Sequence, residues 1–298
     1  MDQTLSARLE SYCSKYGLSN NKAAAAIGYT ASVLSQWRKG EYKGDVEAVQ
    51  SKVRDWLDLQ EARDEAGVVP FVPLSRTERI KTAVRMAHEE KVIGLILGNS
   101  GAGKSRALEE YARINQNTSI LLKCDPTMGL STIVSTIARG LGLDTKGRLS
   151  EVSDRLVTEL RKRSMVVIFD EADYLGDSSM EWARIAINDK GGSALVFAGL
   201  PRIEYRIKSN RADHRQLENR VGVVLHVDDV DAQDVKDVLA ALWPDIAEDS
   251  AKVFVSAARQ SLHILIGHIA LVKRGLRQSG ESTPAAEIVS AAANFLLR

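Results

Sequence analysis

Gly98-Asn99-Ser100-Gly101-Ala102-Gly103-Lys104-Ser105 constrains the fold of this chain more than any other stretch. It follows an apolar run, Val92 to Leu97, and precedes a helical stretch, Arg106 to Arg113, so it fits the phosphate-loop pattern G-x-x-x-x-G-K-[ST] in a strand, loop, helix context. Glycines there let backbone N–H groups turn inward around an anion, and the start of the helix adds a favourable dipole. Lys104 can reach the β and γ phosphates of a nucleotide, Ser105 can ligate Mg²⁺, and Gly98 to Arg106 form the candidate cradle.

The loop sits in an alternating pattern. From about Ser75 to Val227, helical stretches separate apolar runs at Val92 to Leu97, Ser119 to Lys123, Met165 to Phe169, Ala194 to Ala198 and Val221 to Val227. Runs of this length, bounded by glycines and charges, predict strands buried on both faces of a parallel sheet, hence an α/β core. After Asp228 the strand signals stop. Helices are expected over Asp231 to Leu242, Glu248 to Arg259, Leu262 to Arg274 and Pro284 to Leu297, with Thr283 and Pro284 starting the last.

Ahead of the core, Leu5 to Leu59 reads as short helices, the last carrying Val46, Val49, Val53, Trp56 and Leu57 at helical spacing. The prolines of Gly67-Val68-Val69-Pro70-Phe71-Val72-Pro73 favour extended backbone. The expected organisation is a helical domain at 1–60, a linker at 61–74, an α/β core at 75–227 and a small helical lid at 228–298.

A second motif completes the phosphate chemistry. The run Met165 to Phe169 delivers Asp170-Glu171-Ala172-Asp173 at its end. An aspartate at the C-terminal end of a buried strand can hold the Mg²⁺ shell, and a neighbouring glutamate can orient or deprotonate an attacking water. Asp170 and Glu171 are assigned those roles.

Composition sets limits around this reading. Of 298 residues, 44% are hydrophobic, enough for a substantial core, but 40 basic against 39 acidic residues leave a net charge of +1. No global attraction to nucleic acid follows, so any such binding must come from local patches. Cys13 and Cys124 lack partners at metal-ligand spacing and read as buried reduced thiols. The first ten residues lack the apolar stretch of a secretion signal, and no apolar run approaches the roughly 20 residues that span a bilayer. A cytoplasmic protein without a membrane partner is expected.

With Gly98 to Ser105 and Val166-Val167-Ile168-Phe169-Asp170-Glu171-Ala172-Asp173-Tyr174-Leu175-Gly176 in place, the chain resembles the AAA+ transposition ATPases of the phage Mu transposition protein B family. The likeness in layout covers essentially the whole chain: an N-terminal all-α helix-turn-helix domain, an AAA+ P-loop core and a helical C-terminal lid. It implies ATP and Mg²⁺ as cofactors, oligomers in a ring or helical filament on double-stranded DNA without strong sequence preference, and delivery of that DNA to a transposase. AAA+ relatives place an arginine in the neighbouring subunit's ATP site, and Arg220, just before the last core run, matches that position, with Arg215 in reserve. The alternative for Arg220 is a surface arginine at a helix end.

Two positions depart from the family pattern. Leu200 stands where a polar side chain usually senses the γ-phosphate, and His263 where an arginine is common at the base of the lid. Both bear on turnover more than on binding, so ATP is expected to be held tightly and hydrolysed slowly, with stimulation by DNA or a partner. A replication initiator or helicase loader, and a helix-turn-helix regulator switched by ATP, are the competing readings.

Two surfaces are candidates for DNA. Ser19 to Trp37 fits a helix-turn-helix, with Ser19 or Asn20 capping one helix, Gly28 permitting the turn and Thr30 capping the next. Val33, Leu34 and Trp37 then face inward and Ser32, Ser35, Gln36, Arg38 and Lys39 outward, with Gln36 able to read a base edge and Lys39 a phosphate. The near charge balance of this domain keeps a protein-docking role open. In the core, Lys146 and Arg148 precede a helix beginning near Ser150, in a region that faces DNA in ring- or filament-forming relatives; a solvated loop is the alternative.

Overall fold

Hydrophobic spacing and side-chain caps shape the N-terminal part of the chain, whose computed structural model describes residues 3–65, 69–208 and 212–296. Helices α1 (Gln3–Lys15), α2 (Asn20–Ile27), α3 (Ala31–Lys39) and α4 (Val46–Glu65) enclose a core of Leu5, Leu9, Ala24, Leu34, Trp37, Val49, Val53 and Leu57. The Ser19 hydroxyl accepts from the Lys22 N–H and the Thr30 hydroxyl from the Val33 N–H, so α2 and α3 begin where the sequence places them. Gly28 turns the chain between them at φ 89°, a left-handed conformation that suits glycine.

One boundary differs. Helix α4 runs on to Glu65, past the expected end near Leu59 and into the expected linker. Arg8 on α1 supplies a reason, since it pairs with Asp58 at 2.6 Å and with Glu61, both on α4. Residues 66–68 of the expected linker lie outside the described residues, and 69–74 carry no regular secondary structure.

The chain separates into two compact units, Met1–Pro70 and Phe71–Arg298. The second contains α5 (Ser75–Glu90), β1 (Ile93–Gly98), α6 (Lys104–Ile114), β2 (Ser119–Lys123), α7 (Leu130–Gly140), α8 (Leu149–Leu160), β3 (Val166–Asp170), α9 (Asp177–Ala183), β4 (Ala194–Gly199), α10 (Arg202–Lys208), α11 (Ala212–Glu218) and β5 (Val221–Val227). Among the described residues the strands form one sheet in the order β2-β3-β4-β1-β5, parallel throughout. One face packs on α5 and α6 through Ile80, Val84, Leu108, Ile96, Ile168 and Val196. The other packs on α7, α8 and α9 through Ile133, Ile137, Leu156, Met180, Phe169 and Phe197, whose last two rings stack at 5.6 Å.

Burial on both faces is realised in β1, β3 and β4, every residue of which is buried. The two edge strands depart from it. In β5 burial alternates and Gly222, Val224 and His226 are exposed, while β2 is only partly covered. The apolar run Val221 to Val227 reports strand propensity, but edge position decides how much of it is covered.

Helix α9 continues into a π-helical stretch, Arg184–Lys190, which the sequence pattern does not announce. It buries Arg184 among the carboxylates of Glu181 and Asp189 and the amide of Gln216. The final helices are α12 (Ala232–Leu242), α13 (Glu248–Ala258), α14 (Leu262–Ser279) and α15 (Ala286–Ala293). They belong to the same compact unit as the sheet.

Helix α15 starts later than Thr283 and Pro284 suggest, with Ala285 as its N-cap. Pro284 is instead buried with its carbonyl accepting the Ser250 hydroxyl at 2.8 Å, which holds it outside the helix. Residue 297, the expected end of this helix, lies outside the described residues. No described helix is long and apolar enough to cross a membrane.

Candidate nucleotide-binding site

Because all strands are parallel, their C-terminal ends share one edge of the sheet, where loops can converge on a ligand. Strand β1 ends at Gly98, and the backbone turns through Gly101 (φ 83°) and Gly103 (φ 88°) before α6 starts at Lys104. The Lys104 ammonium donates to the Gly98 carbonyl at 2.6 Å and the Asn99 carbonyl at 2.9 Å. Burial lowers its pKa, opposed by the negative charges of Asp170, Asp173 and Glu171. A phosphate in the loop would give this buried ammonium a direct anionic partner.

The Ser105 hydroxyl hydrogen-bonds Asp170, at the end of β3. Burial raises the Asp170 pKa, while that hydrogen bond and one from the Glu171 N–H at 3.0 Å pull it down. Among the described residues no group of three or more His, Cys, Asp or Glu is placed to hold a metal. A hydroxyl and a carboxylate hydrogen-bonded to each other do fit Mg²⁺, which keeps waters and phosphate oxygens for most of its shell. The adjacent Cys124 thiol is pushed up to about 12 by burial and by Asp170, so it stays protonated. Cys13 is only half-buried, short of the burial expected for both thiols.

Glu171 adopts a left-handed conformation, φ 54°, uncommon for a side-chain-bearing residue and suited to a strained turn at a site. Its carboxylate pairs with Lys123 Nζ at 3.2 Å, from the end of the neighbouring strand β2. Of the cradle residues, Ser100 is exposed, Ala102 is buried, and Arg106 points outward beside Glu109.

The structure adds partners that no sequence motif marks. The Leu262 N–H donates to the Gly101 carbonyl at 2.9 Å, and a Cβ on Gly101 would fall 2.1 Å from the Ser261 hydroxyl, so the start of α14 rests on the phosphate loop. His263, noted at the base of the lid, is exposed. Asn99 donates to Asp229 at 2.7 Å, and buried Arg76 on α5 binds Asp234 and the carbonyls of Asp228 and Asp229. Arg76 carries no motif signal; its acceptors lie more than 150 residues away in the chain, so nothing local marks it.

Arg220 lies on the opposite edge. It precedes the seven-residue β5, which pairs parallel to β1, so it stands about 20 Å of strand length from the end bearing Gly98. Its Nε donates to Asp189 at 2.9 Å, and the second oxygen of Asp189 meets Arg184. Arg215 is exposed on α11.

The DNA candidates separate by environment. Ser32, Gln36 and Lys39 form an exposed stripe on α3, opposite Leu34 and Trp37. Arg38 leaves that stripe; it is half-buried and pairs with Glu10 at 3.1 Å. Lys146 and Arg148 are exposed in the loop before α8, stiffened by Arg155 donating to the Lys146 carbonyl.

An AAA-domain family matches residues 87–207, spanning the phosphate loop, Asp170 and Glu171. The Mu-like prophage FluMu DNA transposition protein B of Haemophilus influenzae is 25% identical over 259 residues, covering 85% of this chain and 90% of the relative. The ATP-dependent target DNA activator B of Escherichia phage Mu is 26% identical over 264 residues, covering 87% and 84%. Among solved structures, the Aeropyrum pernix ORC2 protein, in ADPNP–ADP complexes, superposes with a TM-score of 0.62 at 14% identity over 79% of this chain and 73% of its own. The Thermotoga maritima RuvB Holliday junction branch migration motor does so at 0.50 and 18% identity over 74% and 68%. At such identities these two speak for the fold.

Proposed function

Because this chain is a homologue of the Mu-type transposition B proteins and carries an AAA domain, we infer that it is an ATPase that grips target DNA in its ATP-bound state, assembles on it and delivers it to a transposase. The observation that carries the nucleotide chemistry is the convergence of Lys104, Ser105, Asp170 and Glu171 at one edge of the sheet. Lys104 neutralises the phosphates, Ser105 and Asp170 hold Mg²⁺, which draws charge from the γ-phosphate when bound, and Glu171 orients or deprotonates water. Glu171 must leave Lys123 to do so, which accords with slow turnover until a partner reorganises the site.

The placement of Arg220 supports assembly. An arginine on the far edge of its own sheet cannot reach its own phosphates, but it can enter the site of an adjacent subunit. On DNA, Lys39 on the α3 stripe and the loop bearing Lys146 and Arg148 supply backbone-directed contacts, with Ser32 and Gln36 beside Lys39 on the stripe, which accords with sequence tolerance in a chain of net charge only +1. A cytoplasmic location follows from this role.

The test contrasts two substitutions in ATP-dependent DNA binding. Lys104→Ala should abolish it, whereas Glu171→Gln should hold ATP and remain on DNA, since Asp170 still binds Mg²⁺. Equal loss in both would refute the division of roles. Selection of bound DNA sequences separates this reading from a regulator: a single consensus site would refute sequence-tolerant binding.

A further inference from the structure

Strand β4 delivers its C-terminal end between β3 and β1, beside the phosphate loop, yet Leu200 there offers no polar side chain. The same corner holds a charged pair. The Asp173 side chain is only 6% exposed; one of its oxygens accepts the Leu200 N–H at 3.2 Å and the other accepts Arg202 Nη2 at 2.5 Å. A Cβ at residue 199 would lie 2.4 Å from that first Asp173 oxygen, so Gly199 permits the carboxylate to tuck against the strand end. Asp173 lies within the electrostatic reach of Lys104, whose charged form it favours. Gly199 pairs in register with Leu97, the residue before Gly98, so the corner adjoins the start of the phosphate loop.

Arg202 has the character of a group awaiting an anion. Its side chain is 57% exposed, and among the described residues its guanidinium makes no hydrogen bond besides that from Nη2 to Asp173. An arginine fork held at one nitrogen keeps other N–H groups for a phosphate oxygen. The geometry points to Arg202 as the residue that distinguishes a nucleoside triphosphate from a diphosphate in this chain, with Asp173 as its positioning residue. This rests on nucleotide binding at Gly98 to Ser105. The β-phosphate is held by the loop and Lys104 in either nucleotide, so only the terminal phosphate gains from Arg202.

Equilibrium titration of the full chain with Mg²⁺ and either ADP or a non-hydrolysable ATP analogue tests this without reference to turnover. Arg202→Ala should weaken the analogue about tenfold and change ADP by less than about twofold, as expected when one charge-assisted hydrogen bond is removed. Arg202→Lys should restore part of the difference. Asp173→Asn, which keeps an acceptor for the Leu200 N–H but removes the charge that orients Arg202, should fall between wild type and Arg202→Ala. Equal weakening of both nucleotides by Arg202→Ala would assign it a structural role, and unchanged affinity for both would remove it from the site; either overturns the assignment. Lys104→Ala separates the underlying reading: undiminished binding of both nucleotides there would show that the loop is not the phosphate site, and the role of Arg202 would fall with it.

Discussion

Replacing Arg76 by alanine should loosen the C-terminal helices. Arg76 donates from Nε and Nη2 to Asp234, from Nη1 to the Asp228 carbonyl at 2.7 Å and from Nη2 to the Asp229 carbonyl at 2.8 Å. Its side chain and that of Asp234 are 8% and 9% exposed. Without Arg76 the Asp234 carboxylate stays buried with the Asp231 N–H as its remaining donor among the described residues, at 3.1 Å. Breaking one side of a buried ion pair costs about 3–5 kcal/mol. The appropriate assay is hydrogen exchange across α12 and α14, with α1 to α4 as internal reference, because the two compact units need not unfold together. At about 1.4 kcal/mol per tenfold, protection in α12 and α14 should fall by about two to three and a half orders of magnitude. The double replacement Arg76→Met with Asp234→Leu removes both charges and should lose distinctly less than Arg76→Ala, the remainder being the helix cap that Asp234 also serves and the two carbonyl hydrogen bonds of Arg76. A loss of protection below about tenfold in Arg76→Ala, or an equal loss in the double variant, would refute the view that an uncompensated buried charge sets the cost.

The remaining predictions concern assembly, DNA and pH. Arg220→Ala should bind ATP normally but lose about a thousandfold in stimulated turnover, and mixing it with Lys104→Ala in a co-assembled sample should restore activity; no restoration argues against a finger acting between subunits. Replacing Lys146 and Arg148 by alanine should weaken DNA binding evenly across sequences and lower the log-log salt slope by about one for each phosphate left without its cation, read from titrations at several salt concentrations; an unchanged slope removes them from the DNA path. His268 is fully buried, its Nε2 hydrogen-bonds the Val289 carbonyl at 2.9 Å, and burial lowers its pKa from 6.5. Its unfolded form therefore binds the proton first, so its contribution to stability should be complete above pH 6.5 and decline as pH falls from there toward the depressed folded value. His268→Gln should flatten that part of a melting profile measured against pH, and an unchanged profile would refute the assignment.

The sequence by itself determined the elements whose cause is local. The phosphate loop needs glycines at left-handed positions next to a strand and a helix start, and Gly101 and Gly103 meet that need within a few residues. The caps at Ser19 and Thr30, and the aspartate closing β3, are equally local, so their places were legible before any packing was known. What governs the edges of the site was not. Coverage of β5 depends on where the strand sits in the sheet, and the longer α4 depends on Arg8 from another helix. The seat of the C-terminal helices rests on Arg76 reaching across more than 150 residues and on Leu262 meeting Gly101, and the orientation of Arg202 depends on Asp173 from a different strand end. Backbone conformation is decided by neighbours a few residues away, whereas charge pairing and burial are decided by whichever side chains folding brings within a few ångströms. The tertiary structure alone supplies those neighbours.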